Sequence, residues 1–472
     1  MQINKQSLVL ASAIFFSALS AGCFSDSKIT GVTPPPGNTK GNAVLSGNVA
    51  ANRTLHSDTV YTLSGYVKVQ PGATLTIQAG TKIVGDTTVA GSSLLILRGA
   101  KINAQGTASN PIVFTSARSP GNRKPGDWGG IIIIGNARIN RTANPIFTEG
   151  PQNTAENYAG GTDDNDNSGT MRYVRIEFAG SDVSGGKGQE LNSLSLYAVG
   201  RGTTLEYIES MAGLDDSFEF FGGTVDTRYL VSYEAGDDHF DTSEGYRGRN
   251  QFMIALQTRQ IQPRAGSGTL STDPRGFEGD GCENDKAGCT YANTPYSLPV
   301  FANFTVIGPG PGVFAQSDGN GAVVRRGAGA TLVNGIIGRW PQYGISLRDA
   351  ESNALLNVDS VTVRNLILSD NASNFEPAGT NFGQRLNLPS NNIRQVTGVA
   401  ALVASLNTAS LDWTPAAGSA ASTGGLASFA GTAIAARVAG YFGGTMLGTS
   451  YVGAADPSGT KWWAGWTAYT TE

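Results

Sequence analysis

From Ala43 onward the chain is a succession of short apolar runs, four to six residues long, separated by Gly, Asn, Asp and Thr. "TLTIQAGTKIVG", "LLILRGAKINAQG", "WGGIIIIGNARIN", "YVRIEFAG" and "TTLEYIESMAG" are examples, and each reads as a strand bounded by turns. A longer period lies above this short one. Tyr207 and Tyr229, Ser210 and Ser232, Asp215 and Asp237, and Phe218 and Phe240 are each 22 residues apart. A repeat of that length with strand-only content predicts a parallel β-solenoid, in which one coil cannot bury its inward side chains alone and stacked coils share a continuous core. The pattern spans residues 43–400, and its register is interrupted between Gln260 and Tyr296.

After the solenoid the composition shifts to Ala, Gly, Ser and Thr. Residues 401–472 are expected to form a small mixed cap over the open end, with a short amphipathic helix around Ile434 to Phe442 and with Trp462, Trp463 and Trp466 as packing material. No stretch there is long and apolar enough to span a bilayer. Ahead of the solenoid, residues 1–22 read as an export signal, with Lys5 followed by the apolar "LVLASAIFFSALSAG", and residues 23–42, "CFSDSKITGVTPPPGNTKGN", read as a flexible tether. "LSAGC" resembles a bacterial lipobox, although Ser20 stands where Leu is usual; ordinary signal-peptidase cleavage is the alternative. The lipobox resemblance implies that Cys23 carries palmitate-type acyl chains, and Phe24 after it implies the outer membrane, with the surface side favoured. Such an anchor exceeds the two-chain threshold for stable attachment.

Composition narrows the class. Glycine is dense, with 63 residues, and only 15% of the chain is charged, which suits many tight turns and an all-β fold. A formal net charge of −4 offers no broad basic face, so nucleic acid is disfavoured as a partner. With Cys23 set aside, Cys282 and Cys289 remain as a pair in "GDGCENDKAGC", and in an oxidising compartment they predict a small loop-closing disulfide.

The chemistry concentrates in a returning acidic phrase, "DDSFEFF" at Asp215 and "DDHFDTS" at Asp237. If 22 residues make one coil, Asp215 stacks on Asp237, Asp216 on Asp238 and Glu219 on Asp241, about 4.8 Å apart. Two ionised carboxylates at that distance repel by about 3.5 kcal/mol at an effective dielectric near 20. Protonation, alternation between faces or a bound cation must relieve this, and oxygen-only ligands on a rigid exported scaffold favour calcium. Asp215, Asp216, Glu219, Asp237, Asp238 and Asp241 are therefore the candidate metal ligands; solvated or turn-capping acids are the competing expectation. His239, inside the phrase, is expected to be a hydrogen-bonded structural residue more than an acid–base group. A second stretch, "GGTDDNDNSG", sets Asp164, Asp166, Ser168 and Gly169 at the first positions of an EF-hand-like loop, but Arg175 replaces the closing Glu, leaving only a looser calcium loop or an Asx-rich turn.

"VKVQPGATLTIQAGTKIVG", "LLILRGAKINAQGTASNPIVFTSA" and "GDWGGIIIIGNARIN" together resemble the opening of exported bacterial right-handed parallel β-helix proteins, and "YVRIEFAG", "DDSFEFFGGTV", "DDHFDTSEGY" and "WAGWTAY" resemble a lipoprotein branch of that group. The resemblance implies a right-handed parallel β-helix whose lateral face binds an extended ligand such as a polysaccharide or another cell-surface ligand, with an adhesive rod as an alternative. "GDD" at Gly236 to Asp238 is similar to the acid pair of polygalacturonase-type β-helix hydrolases, but the Gly-His-Gly and Arg-Ile-Lys motifs are missing. A calcium-dependent lyase would use Asp237 and Asp238 with an arginine base, and Arg247, with Arg228 and Arg249 near it in sequence, is the candidate. Trp128, Trp340, Trp463 and Trp466 could stack on sugar rings.

Overall fold

The computed structural model describes residues 41–151, 153–183, 189–313, 319–377 and 381–470. Cys23, the expected export signal and nearly all of the expected tether lie outside the described residues. No helix among the described residues is long and apolar enough to cross a membrane.

The chain winds into a right-handed parallel β-helix in which three ladders share one 26-stranded sheet. Each coil passes through three faces, here called A, B and C. In the middle coils faces A and B belong to one bent strand, as in Gly169–Glu177, Thr204–Met211, Asp226–Tyr233, Arg249–Leu256 and Val300–Ile307. Face C stacks Ser93–Ile96, Gly130–Ile134, Leu194–Tyr197, Phe218–Phe221, Phe240–Ser243, Arg275–Asp280, Asn320–Arg325 and Tyr343–Leu347. Inward positions carry the core: Phe218, Phe240 and Phe277 lie over one another, as do Ile208, Leu230 and Met253 on the bent strands.

The bend between faces A and B is made by one residue in the left-handed region, at Tyr173, Tyr207, Tyr229, Phe252 and Asn303, and at Asn334 and Asn365 in later coils. That conformation costs roughly 1–2 kcal/mol for an ordinary L-residue, and Asn tolerates it best. The aromatic positions offset the cost by stacking: Tyr173 on Tyr207 at 4.3 Å, Tyr207 on Tyr229 at 4.4 Å and Tyr229 on Phe252 at 5.1 Å between ring centres.

The register expected to break between Gln260 and Tyr296 does not break. The strand Arg275–Asp280 lies inside that stretch and pairs Phe277 with Phe240 and Glu278 with Asp241, so the extra length is taken up by two enlarged turns.

Residues beyond 400 differ from the expected end cap. Pro389–Asn391 and the neighbouring turns close the last coil, with Asn391 accepting the Asn365 amide. The C-terminal segment instead runs back as a strap along the flank of faces A and B. Trp462 packs on Tyr229, and Trp466 sets its edge against Tyr173 and Tyr207. The Ala468 amide donates to both oxygens of the buried Glu209. The expected helix shrinks to one turn, Ala435–Val438, followed by the small hairpin of Ala439–Tyr441 and Gly444–Thr445. An outward aromatic ladder leaves a large apolar stripe, and the strap is what covers it.

Two outcomes follow. Trp466→Ala is expected to lower stability by about 3 kcal/mol in urea denaturation and to open the strap to limited proteolysis. Tyr229→Val should cost more than Tyr229→Asn by about 1–2 kcal/mol, since Asn accepts the left-handed backbone and a β-branched residue does not; equal midpoints for the two would contradict the role given to the bend.

Candidate functional site

The acidic phrases do lie on adjacent coils. Glu219 pairs with Asp241 and Asp241 with Glu278 along the outer surface of face C, while Asp215, Asp216, Asp237 and Asp238 occupy the turns that enter it. They line an open bay of about 410 Å³ together with Glu149, Glu190, Glu244, Asp273, Asp280 and Glu283. Among the described residues thirteen carboxylates meet four cations there, Arg275, Lys286, Arg325 and Arg326, and Leu270 is the sole apolar side chain of the lining.

A backbone ladder explains part of the crowding. The Asp216 amide donates to Asn192 Oδ1 (3.2 Å), the Asp238 amide to Asp216 Oδ1 (2.8 Å) and the Arg275 amide to Asp238 Oδ1 (2.5 Å). Each side chain thus spends one oxygen on the next coil, and the second oxygen of Asp238 meets the Arg275 guanidinium at 3.4 Å. These bonds run to the next coil and not to the aspartates' own turns, and with Glu219 accepting from Asn192 Nδ2 they leave Asp241 to be explained.

Toward the later coils the arginines neutralise the acids. Glu278 Oε1 lies 2.6 Å from both Arg275 and Arg325, and Asp280 accepts from Arg325 (2.8 Å) and Arg326 (2.5 Å). Toward the earlier coils there is no such supply. Asp237 Oδ1 and Asp241 Oδ1 have no hydrogen-bond partner among the described residues, and Asp241 is only 7% exposed. Three overlapping triads place ligand oxygens within 4.8 Å of one another: Asp215, Asp216 and Asp237; Asp216, Glu219 and Asp241; Asp238, Asp241 and Glu278. All six ligands expected from the sequence are in these triads, and Glu278 joins them.

Burial dominates the protonation of the bay. It raises Asp215, Asp216, Glu219, Asp238 and Asp241 well above the usual carboxylate range, and the neighbouring carboxylates add to the effect. Asp237 is also raised by burial, against the pull of Arg275. Burial pushes Glu278 up to about 7 and Glu149 up to about 8. Asp280 goes the other way: burial would raise it, but Arg325 and Arg326 outweigh that and hold it below the usual range.

Several sequence expectations need correction. Arg247 is not in the bay; it pairs with Asp164 at 3.3 Å beyond the far end of face C. Arg228 pairs with Glu206, and Arg249 with Asp226 and the strap. Residues close in sequence leave a coil on different faces, so proximity to Asp237 along the chain placed these arginines wrongly. The bay arginines were missed, although "GFEGD" repeats the Phe-acid pair of Phe218-Glu219 and Phe240-Asp241 and marks that strand. Asp164 is taken up by Arg138 and Arg247, which disfavours a calcium loop there. His239 points into the core, 2.5 Å from Ser232 Oγ, and burial drops it to about 3, so it is neutral and structural. Trp128, Trp340, Trp463 and Trp466 are all buried and present no platform to a sugar.

A carboxyl group raised on folding supports the fold below its ordinary value and loses that support as pH climbs through the raised one. From an ordinary value of 4.5 to the about 7 and about 8 of Glu278 and Glu149, cation-free protein should therefore lose stability as pH rises. The expected slope is about 1 kcal/mol per pH unit or more, read from denaturation in EDTA between these values.

No curated protein and no solved structure matches the chain. Residues 47–416 match the family described as "Pectate-lyase like beta helix domain". With its three parallel ladders and most of its length inside that match, the chain belongs to the pectate-lyase-like β-helix family.

Proposed function

We propose that this protein is a lipid-anchored, surface-exposed β-helix that binds an acidic polysaccharide through calcium held in the face C bay. The observation that carries the reading is the buried, unpartnered Oδ1 of Asp241, aimed into a cluster where Asp216 and Glu219 offer further oxygens within 4.8 Å. A divalent cation of oxygen preference takes six to eight such ligands, and carboxylates that keep one oxygen for structure can give it the other. Asp215 and Asp237 form an overlapping triad with Asp216 beside this one.

The same chemistry selects the ligand. Among the described residues the exposed large hydrophobic side chains are Val44, Val89, Phe147, Val358, Leu388 and Leu447, none of which lines the bay. Recognition by stacking on neutral sugar rings has no support there. A uronate carboxylate can complete the coordination of a bound cation, and repeated uronates suit a bay open along the helix axis. Attachment through Cys23 would place the bay outside the outer membrane, within reach of such a polymer.

Binding is favoured over turnover. An arginine base needs a lowered pKa, whereas Arg275 lies among Asp238, Asp273 and Glu278 and is raised by them in spite of burial. An inverting hydrolase needs carboxyl groups about 6.5–9.5 Å apart to admit water, wider than the triads.

Calcium at about 100 times its dissociation constant should stabilise the protein by about 2.7 kcal/mol, raising its melting temperature, and EDTA should reverse the shift. Asp241→Asn should remove most of that shift. Polygalacturonate or alginate should be retained with calcium and released with EDTA, without new absorbance from unsaturated uronates. Melting curves that ignore calcium would reject the cation, and calcium-dependent appearance of that absorbance would replace binding by lyase activity.

A further inference from the structure

Among the described residues, the cation at the earlier-coil end of the bay is Lys286, and it arrives on a loop of unusual construction. Cys282 and Cys289 form the expected disulfide, which closes the eight-residue loop "CENDKAGC" at the rim. Its two halves are held differently. The first half carries Glu283, which pairs with Arg326 from the arginine-rich end. The second half is fixed to the wall of the bay, with Arg141 Nε donating to Ala287 O (2.9 Å) and the Thr142 amide to Gly288 O (3.1 Å). Arg141 in turn reaches Glu244 at 3.1 Å, so one guanidinium joins the loop to the acidic lining.

Between these anchors sits Lys286. Its ammonium is 3.0 Å from Glu283 and lines the bay, within electrostatic reach of Glu149, Glu244, Glu219 and Asp241. Glu219 and Asp241 are two of the three acids proposed above to hold calcium. A primary ammonium on a four-carbon stem is a compact, mobile point charge, suited to neutralising several carboxylates without fixing any one of them.

The geometry points to Lys286 as a tethered counter-ion of the bay, which compensates Glu219 and Asp241 when no metal is bound, competes with the metal for them, and so sets the calcium concentration at which the site fills. This deepens the cation reading and rests on it for the competition, while the counter-ion role stands on the loop alone. Without metal the ammonium rests on Glu283 at the rim, within electrostatic reach of Glu219 and Asp241; when a divalent ion enters, the like charges repel and the flexible stem can swing away toward solvent. The disulfide restricts the loop, which keeps the local concentration of the ammonium high.

The test uses the full chain with Lys286→Gln, Lys286→Arg and the paired Cys282→Ser, Cys289→Ser variant. Calcium binding is followed by calorimetry and melting temperature by differential scanning, the latter in EDTA. Lys286→Gln is expected to melt several degrees lower than the unaltered protein in EDTA and to bind calcium about tenfold more tightly or better. Lys286→Arg should stay close to the unaltered protein on both readouts, and the serine pair should move part of the way toward Lys286→Gln. Unchanged melting and unchanged calcium affinity in Lys286→Gln would overturn the proposal while leaving the cation reading intact. If neither protein binds calcium, the competition and the cation reading both fall, and a lower melting temperature of Lys286→Gln alone would then retain only the counter-ion role.

Discussion

The constraint on which this structure depends is parallel, in-register stacking: whatever stands at one position of a coil stands about 4.8 Å from its counterpart on the next. A side chain that gains from meeting its own kind is rewarded once per coil, and one that repels its own kind is penalised as often. Phe218, Phe240 and Phe277 show the first case in the core. The tyrosines of the bend show it on the flank, where stacking also offsets a left-handed backbone. Glu219, Asp241 and Glu278 show the second case, and acids in that arrangement persist only where something else compensates them.

Compensation is graded along the bay. At the earliest coil Asn192 stands where later coils have aspartate, so the ladder starts on a neutral group. At the latest coils Arg275, Arg325 and Arg326 meet Glu278 and Asp280 directly. Between those ends the acids answer to protonation, to Lys286 or to a cation from outside. A neutral serine at Asp241 would have avoided the repulsion, because that side chain faces outward from the sheet into the bay and not into the apolar core.

The architecture was legible because its signal is additive: each coil repeats the same apolar spacing, and the 22-residue return of Asp215 at Asp237 names two neighbours outright. The stacking of the acids was legible for the same reason. Arg275 and Glu278 were not, because two enlarged turns stretch that coil and hide the third Phe-acid pair from a fixed period. Arg247 was misplaced because six or so residues carry the chain around a corner of the helix, so short sequence distance there means a different face. The strap was read as an end cap since tryptophan-rich ends must bury somewhere, and composition does not tell an open end from an apolar flank. Only the left-handed bend, invisible in sequence, turns Tyr173, Tyr207 and Tyr229 outward and creates the surface that Trp462 and Trp466 cover.

The strap and the bay therefore divide the lateral surface between them. The strap covers the flank of faces A and B with aromatic contacts and with the Ala468 bonds to Glu209, a carboxylate that burial raises strongly and that Arg175 on the neighbouring coil also compensates. Face C is left uncovered along its acidic stretch, bordered by the disulfide loop and by the excursion that brings in Glu149, which are bonded to each other through Arg141 and Thr142. The flank of faces A and B is thus sealed by apolar contacts while face C carries the charged bay, and this separation lets the acids of face C keep an uncompensated oxygen that a core position could not tolerate.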